Sequence, residues 1–283
     1  MPITRVVRVA MSIPSRTLLT FQHDSKLSTL RTNILSLQPF SSLPAENQAL
    51  FKQATPSSQV LVAEKTIFHP QGGGQPSDVG HITSTSNEEA RFQVESVRMD
   101  AIHEGQVLHF GSFTNDDASS FSPGSQVVQS IDVAKRLLYS RLHTAGHVLG
   151  AATRHLLQDT VPGFDELKAS HFPDSAACEF AGSIEGRYKE AIQSKVNEYI
   201  AAALAVEIEW WDEDDFRREG LERLIPQMRL PEGEKWRIVR IKGAECYPCG
   251  GTHVDTTKEC GKTTVRKISR SKGTSRVSYA VEE

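Results

Sequence analysis

Cysteine is scarce in this sequence. There are four in 283 residues: Cys178, Cys246, Cys249 and Cys260. Three of them crowd between positions 246 and 260, which is no secreted disulfide framework and fits a reducing compartment. Long apolar runs are missing as well. No stretch of about 18 apolar residues occurs, which excludes a helical membrane span. Charge of one sign is not in excess, for the net charge is -3 with 24% charged and 38% apolar residues. That is the composition of an ordinary soluble protein. Internal repeats and long low-complexity tracts are absent too. The length allows one large domain or two of ordinary size, with a core that needs no disulfide or metal staple.

Acidic residues are missing from the first 23 positions, which hold Arg5, Arg8 and Arg16. A mitochondrial transit segment is one reading. A short basic tail followed by a strand over 17–21 is the reading preferred here, because no long amphipathic helix follows. The expected location is cytoplasmic, with a mitochondrial one as the alternative.

What is present divides near residue 130. Residues 60–63, 91–97, 106–110 and 126–131 are short runs rich in Val, Ile, Leu and Phe. Turn-forming segments at 84–88 and 115–124 separate them. The pattern predicts a small antiparallel barrel over 1–130. Residues 40–56 read as a loop or short helix. From Asp132 the period changes. Leu138, Leu142, Ala145, Leu149, Ala152 and Leu156 recur at steps of three and four, one face of a long helix with Asp132 as N-cap. A second helix is predicted over 184–204, with Tyr188, Ile192, Val196, Tyr199 and Ala203 in step. Residues 236–241 read as a strand, and 263–269 with 274–281 as a hairpin through Lys272 and Gly273. The acidic stretch 212–215 reads as a solvated helix start. The fold class is therefore α+β: a β-barrel over 1–130, then an α+β domain over 131–283.

Two pairs of metal-ligating residues lie about a hundred positions apart: His143-Thr-Ala-Gly-His147 and Cys249-Gly-Gly-Thr-His253. Helical spacing puts both imidazoles of the first pair on one face, one turn apart. A glycine-rich turn brings the second pair together. Three histidines and one cysteine make the tetrahedral set that zinc prefers.

These residues resemble the two metal motifs of the alanyl-tRNA synthetase editing domain. Thr66-Ile-Phe-His-Pro-Gln-Gly-Gly-Gly-Gln-Pro-Ser-Asp78 is similar to the glycine-rich motif of free-standing AlaX-type editing proteins. Asp132 with Arg136, and Lys272-Gly-x-x-Arg276-Val-Ser-Tyr279, agree further. The resemblance covers roughly residues 17–282. One departure is Gly146, where many relatives carry a bulkier residue before the second histidine. No aminoacylation core and no C-terminal oligomerisation extension corresponds, so the resemblance implies a stand-alone trans-editing protein. The second half is then a zinc-binding editing domain of the threonyl/alanyl-tRNA synthetase type.

The activity implied is hydrolysis of the ester in mischarged tRNA(Ala), chiefly Ser-tRNA(Ala), with Gly-tRNA(Ala) as a further substrate. An alanine site cannot strongly reject serine or glycine by size, so the error needs a second, hydrolytic site. A polar pocket that engages the seryl hydroxyl spares alanine, whose methyl would leave the polar groups unpaired. The resemblance makes Thr144, Thr252, Gln75 and Asp78 candidate catalytic or site-lining groups. For both threonines, hydrogen bonding behind the ligands is an equal alternative. Zinc either generates hydroxide from bound water or orients and polarises the substrate. Gly72, Gly73 and Gly74, with Gly250 and Gly251, allow close backbone approach to the tRNA 3′ end. A turn with positive φ is the plainer reading of the triplet.

Seven basic residues fall between 258 and 276, with Glu259 the one acid among them. Lys262, Arg266, Lys267, Arg270, Lys272 and Arg276 suit a tRNA backbone. A solvated hairpin face is the alternative. Three rival functions stand beside editing. A metallopeptidase would want His-Glu-x-x-His, but Thr144 follows the first histidine. A thiol redox protein would use Cys246 and Cys249, but no thioredoxin-like pattern surrounds them. The third is a non-enzymatic tRNA-binding module with structural zinc.

Overall fold

The computed structural model describes residues 16–114, 118–227 and 230–282. Arg5 and Arg8 of the basic tail, and residues 115–117 of the expected turn, lie outside them. The described chain opens with a two-residue strand β1 (Leu18–Leu19) and one helical turn α1 (Thr20–His23). The strand expected over 17–21 is thus corrected. Leu18 and Leu19 pair in parallel with β4 (Lys65–Thr66), while Phe21 turns inward at 1% exposure. Burying that one ring against His69 outweighs the extended preference of its neighbours.

Six strands close into an antiparallel barrel: β2 (Thr29–Pro39), β3 (Gln59–Ala63), β5 (Gly80–Ser84), β6 (Arg91–Met99), β7 (Val107–Phe113) and β8 (Gln126–Ile131). Their order around the barrel is β2-β3-β7-β6-β5-β8. Closure leaves no free sheet edge. Alternate residues point inward, as in β8, where Val127, Gln129 and Ile131 are buried and Gln126, Val128 and Ser130 are not. The buried Gln129 is satisfied: its Oε1 accepts from Ile67 N–H and its Nε2 donates to Lys65 C=O. Residues 40–56 contain a 3-10 turn, Phe40–Ser42, and α2 (Ala45–Gln48).

After the barrel runs α3 (Val133–Leu157), capped by the Asp132 carboxylate, which accepts from Lys135 N–H. Leu142, Ala145, Leu149 and Ala152 are buried as their spacing predicts. Leu156 is corrected: it is 36% exposed, and Leu157 takes the core position next to it. A four-stranded sheet packs on this helix, in the order β14 (Thr263–Ser271), β15 (Thr274–Val281), β10 (Ala177–Ala181), β9 (Asp165–Ser170). The second helix, α4 (Lys189–Ala201), is shorter than 184–204; Ala203 lies past its end at φ 49°. A three-stranded sheet, β11 (Val206–Trp211), β12 (Trp236–Ile241), β13 (Glu245–Pro248), leads into the second ligand pair. The acidic 212–215 segment starts α5 (Glu213–Arg218), with Asp212 and Asp215 forming a capping box.

One buried ion pair fastens the helix to the barrel. Arg136 reaches the Asp78 carboxylate with Nε at 3.0 Å, and donates also to Ile67 and Ser25 C=O. Asp78 is 1% exposed and accepts from His69 N–H as well. Both charges are therefore paired and hydrogen-bonded, the condition for keeping them out of water.

Candidate metal centre and its cavity

His143, His147, Cys249 and His253 come together from α3 and from the turn after β13. One ligand atom from each lies within 4.8 Å of all the others. Cys249 Sγ is 3.4 Å from His143 Nε2 and 3.7 Å from His253 Nε2. Ligands at ordinary zinc bond lengths around a tetrahedron stand about 3.3–3.6 Å apart. The two sulfur–nitrogen distances fit that spacing, and all four donors lie close enough together to share one metal ion.

The side chains behind the ligands set which nitrogen faces the centre. Gln75 Nε2 donates to Thr252 Oγ1 at 2.9 Å, which fixes Gln75 Oε1 as the acceptor. That oxygen takes His143 Nδ1–H at 2.7 Å and Thr252 N–H at 3.0 Å. Glu245 Oε1 takes His147 Nδ1–H at 3.0 Å. Nδ1 of each ring is then engaged, which leaves Nε2 as the nitrogen facing the centre, the orientation in which imidazole binds metal. The four groups differ in the charge they favour. Burial works against a charged His147, yet the Glu245 carboxylate and the Cys249 thiolate outweigh it and push its pKa up to about 10. Burial also opposes the Cys249 thiolate, but hydrogen bonding and charge from His147 bring its pKa below the usual thiol value. Burial, then neighbouring histidines, hold His143 far below ordinary histidine values. Positive charge is thus favoured on His147 alone, beside Glu245 and Cys249, while His143 and His253 are held neutral.

A cavity of about 210 Å³ opens beside this cluster. His143, His147 and Cys249 line it, and so do Gly73 and Gly250. Glu166, Ala169, His171, Cys178 and Tyr247 are among its other lining residues. Arg154 pairs with Glu166 at 2.8 Å and lies 3.9 Å from Glu245.

Of the site residues expected from sequence, the structure brings His143, His147, Cys249, Gly73 and Gly250 to one cavity, while His253 meets the other ligands from behind it. Gly251 packs behind it: a Cβ there would stand 2.2 Å from His143 Cε1. Gly74 abuts Ala169, whose C=O would lie 2.4 Å from an added Cβ. Gly72 forms an isolated bridge with Gln75. Gln75, Thr144, Thr252 and Asp78 do not line the cavity. Thr144 Oγ1 accepts Val254 N–H, and Thr252 Oγ1 also bonds Ser140, so both hydroxyls brace the ligand turn against α3. Asp78 is engaged by Arg136 instead. Among the basic residues, Lys262 pairs with Glu282 and Arg276 with Glu179. Arg270 reaches Ser183 at 3.4 Å. Arg266, Lys267 and Lys272 are exposed and have no ion-pair partner among the described residues. Sequence reasoning missed Glu166, His171 and Tyr247. Glu166 and His171 sit outside any motif, Tyr247 was passed over between Cys246 and Cys249, and the pairing of β9 and β13 with their neighbours brings them to the cavity.

The model of the second additional domain of threonyl and alanyl tRNA synthetases matches residues 236–278. The chain is 29% identical over 230 residues to the alanyl-tRNA editing protein AlaX-M of Saccharolobus solfataricus, an overlap of 78% of this chain and 89% of that protein. It is 31% identical over 221 residues to AlaX-L of Pyrococcus horikoshii, covering 77% of this chain and 50% of that protein. With the alanine–tRNA ligase of Methanothermobacter thermautotrophicus the identity is 28% over 219 residues, 74% of this chain and 22% of the ligase. The chain thus spans half or less of these two longer relatives. No helix among the described residues is long and apolar enough to cross a membrane.

Proposed function

We propose, from the premise that this chain is of the alanyl-tRNA editing (AlaX) type and carries the second additional domain of threonyl and alanyl tRNA synthetases, that it hydrolyses the aminoacyl ester of mischarged tRNA(Ala). Ser-tRNA(Ala) is the principal substrate and Gly-tRNA(Ala) the second. The observation that carries this reading is the small cavity set directly against the four-ligand cluster. At about 210 Å³ it is below the ~300–1,000 Å³ of ordinary small-molecule sites and suits one short aminoacyl group.

Zinc is the metal proposed for His143, His147, Cys249 and His253, since it accepts a mixed imidazole and thiolate tetrahedron. Bound there, it supplies Lewis-acid polarisation of an ester oxygen. The chain's own residues do the positioning. Gln75 and Glu245 hold the His143 and His147 rings in the metal-binding tautomer. Thr144, Thr252 and Ser140 fix the ligand turn on the helix. Gly73 and Gly250, which line the cavity, let the tRNA 3′ end approach without side-chain obstruction. Arg266, Lys267 and Lys272 then lie free for the phosphate backbone.

The test is deacylation by the purified, zinc-loaded protein. Ser-tRNA(Ala) should be hydrolysed much faster than Ala-tRNA(Ala). Folded, metal-loaded protein that binds tRNA but leaves both Ser-tRNA(Ala) and Gly-tRNA(Ala) intact would make it a binding module with structural zinc.

A further inference from the structure

His171 belongs to neither ligand pair nor to the glycine-rich segment, yet it stands between them. Its ring stacks on His143 with centroids 4.2 Å apart, and its backbone N–H donates to Gly74 C=O. Gly146 makes the room. A Cβ at that position would lie 2.3 Å from His171 Cε1 and 2.8 Å from the Tyr279 hydroxyl oxygen. A residue with a side chain at 146 would displace this ring.

One hydrogen-bond chain decides where the ring carries its proton. The Tyr279 oxygen is 2.8 Å from Leu142 C=O and 2.7 Å from His171 Nδ1. A carbonyl only accepts, so the single phenolic hydrogen goes to Leu142. The phenolic oxygen must then accept from His171, and Nδ1 bears the hydrogen. In the neutral ring Nε2 is left with a lone pair. No described residue donates to it, and it is not one of the fully enclosed unpartnered atoms, so it opens on the cavity that His171 lines.

We infer that His171 Nε2 accepts the hydroxyl of the seryl ester, and that this contact separates serine from alanine. The assignment rests on the editing function proposed above. Alanine places a methyl where the lone pair needs a donor, and the unpaired acceptor costs binding. Glycine places nothing there and is indifferent to the group. A ribose hydroxyl is the other donor within chemical reason, but it is common to every aminoacyl ester and would affect all of them alike.

The experiment compares deacylation of Ser-tRNA(Ala) and Gly-tRNA(Ala) by wild type, His171→Asn and His171→Gln, all zinc-loaded. Asparagine places its amide where Nδ1 was and keeps a donor for Tyr279, but brings no acceptor to the Nε2 position. Glutamine reaches that position with Oε1. His171→Asn should lower kcat/KM for the seryl ester at least about tenfold and leave the glycyl ester within about twofold, by the cost of an unmet hydrogen bond. His171→Gln should recover part of the seryl rate. Equal losses on both esters, or no loss on either, with active wild type, would overturn this assignment while leaving the function standing. Wild type inert on both esters would overturn the function and the assignment together.

Discussion

Gln75 and Thr252 are hydrogen-bonded at 2.9 Å although 177 residues separate them in the chain. Through this contact the barrel's glycine-rich segment reaches the second ligand turn, and the same amide holds the His143 ring. The barrel is thereby part of the metal centre rather than a neighbour of it. Replacing Gln75 by Leu removes the acceptor from both His143 Nδ1–H and Thr252 N–H. Zinc affinity should fall by about 10–100-fold, as when other partners of metal-bound histidines are lost. Competition against a chelator of known affinity measures it. An affinity equal to that of wild type would mean that Gln75 does not orient the ligand.

The two cysteines of Cys246-Tyr-Pro-Cys249 should behave differently. Cys249 faces His143 and His253, and its pKa is lowered despite burial. Cys246 pairs in register with Arg240 one strand over, outside the ligand cluster, and burial pushes its thiol up to about 11. A redox pair needs one of these cysteines, as thiolate, to attack a mixed disulfide held by the other and expel the partner's thiolate. The structure sets Cys249 among imidazoles and keeps Cys246 protonated at neutral pH. Cys249→Ala should strip most of the zinc, read by elemental analysis, while Cys246→Ser should retain about one zinc per chain. Equal zinc loss in both variants would reject the ligand assignment.

Much of this was legible because it is local. Asp132 caps the long helix, the three-and-four spacing from Leu142 to Ala152 marks its buried face, and His-x3-His is a single turn of it. The 126–131 strand shows a clean alternation. The 29–39 strand escaped notice because its sequence, Thr-Leu-Arg-Thr-Asn-Ile-Leu-Ser-Leu-Gln-Pro, mixes polar and apolar residues and is only partly buried. Its place is set by pairing with β3 and β8, which is long-range information. Strands β9 and β10 were invisible for the same reason, and with them His171 and Glu166. Asp78 belongs to a recognisable motif, but only the fold shows that its carboxylate meets Arg136, 58 residues away.

Gly146 leaves room for two of its neighbours. The α3 backbone tolerates any residue there, but the space beyond it is filled by His171 and Tyr279. Gly146→Leu should therefore destabilise the protein by about 1–3 kcal/mol through overpacking, although leucine is the better helix former. Combining it with His171→Ala should return part of that loss, because the two residues contest one volume. Urea unfolding of the two single variants and the double variant gives the coupling. Strictly additive effects would show that the leucine side chain finds room elsewhere.

The terminal hairpin is less uniformly basic than its composition suggests. Lys262 and Arg276 face Glu282 and Glu179, so their charge is largely compensated. Arg266 sits at the bulge between Val265 and Lys267, and both it and Lys267 are exposed with no ion-pair partner among the described residues. If the hairpin lies along a tRNA backbone, these two residues displace counterions and the two paired ones contribute less. Replacing Arg266 and Lys267 by alanine should lower the magnitude of the slope of log K against log salt by about 1.4–1.8, the loss of roughly two phosphate contacts. Lys262→Ala should change it by well under half as much. Titrating uncharged tRNA at several salt concentrations with zinc-loaded protein measures both. An unaltered slope in the Arg266 and Lys267 double variant would assign the hairpin to the solvent and move the tRNA backbone to another face.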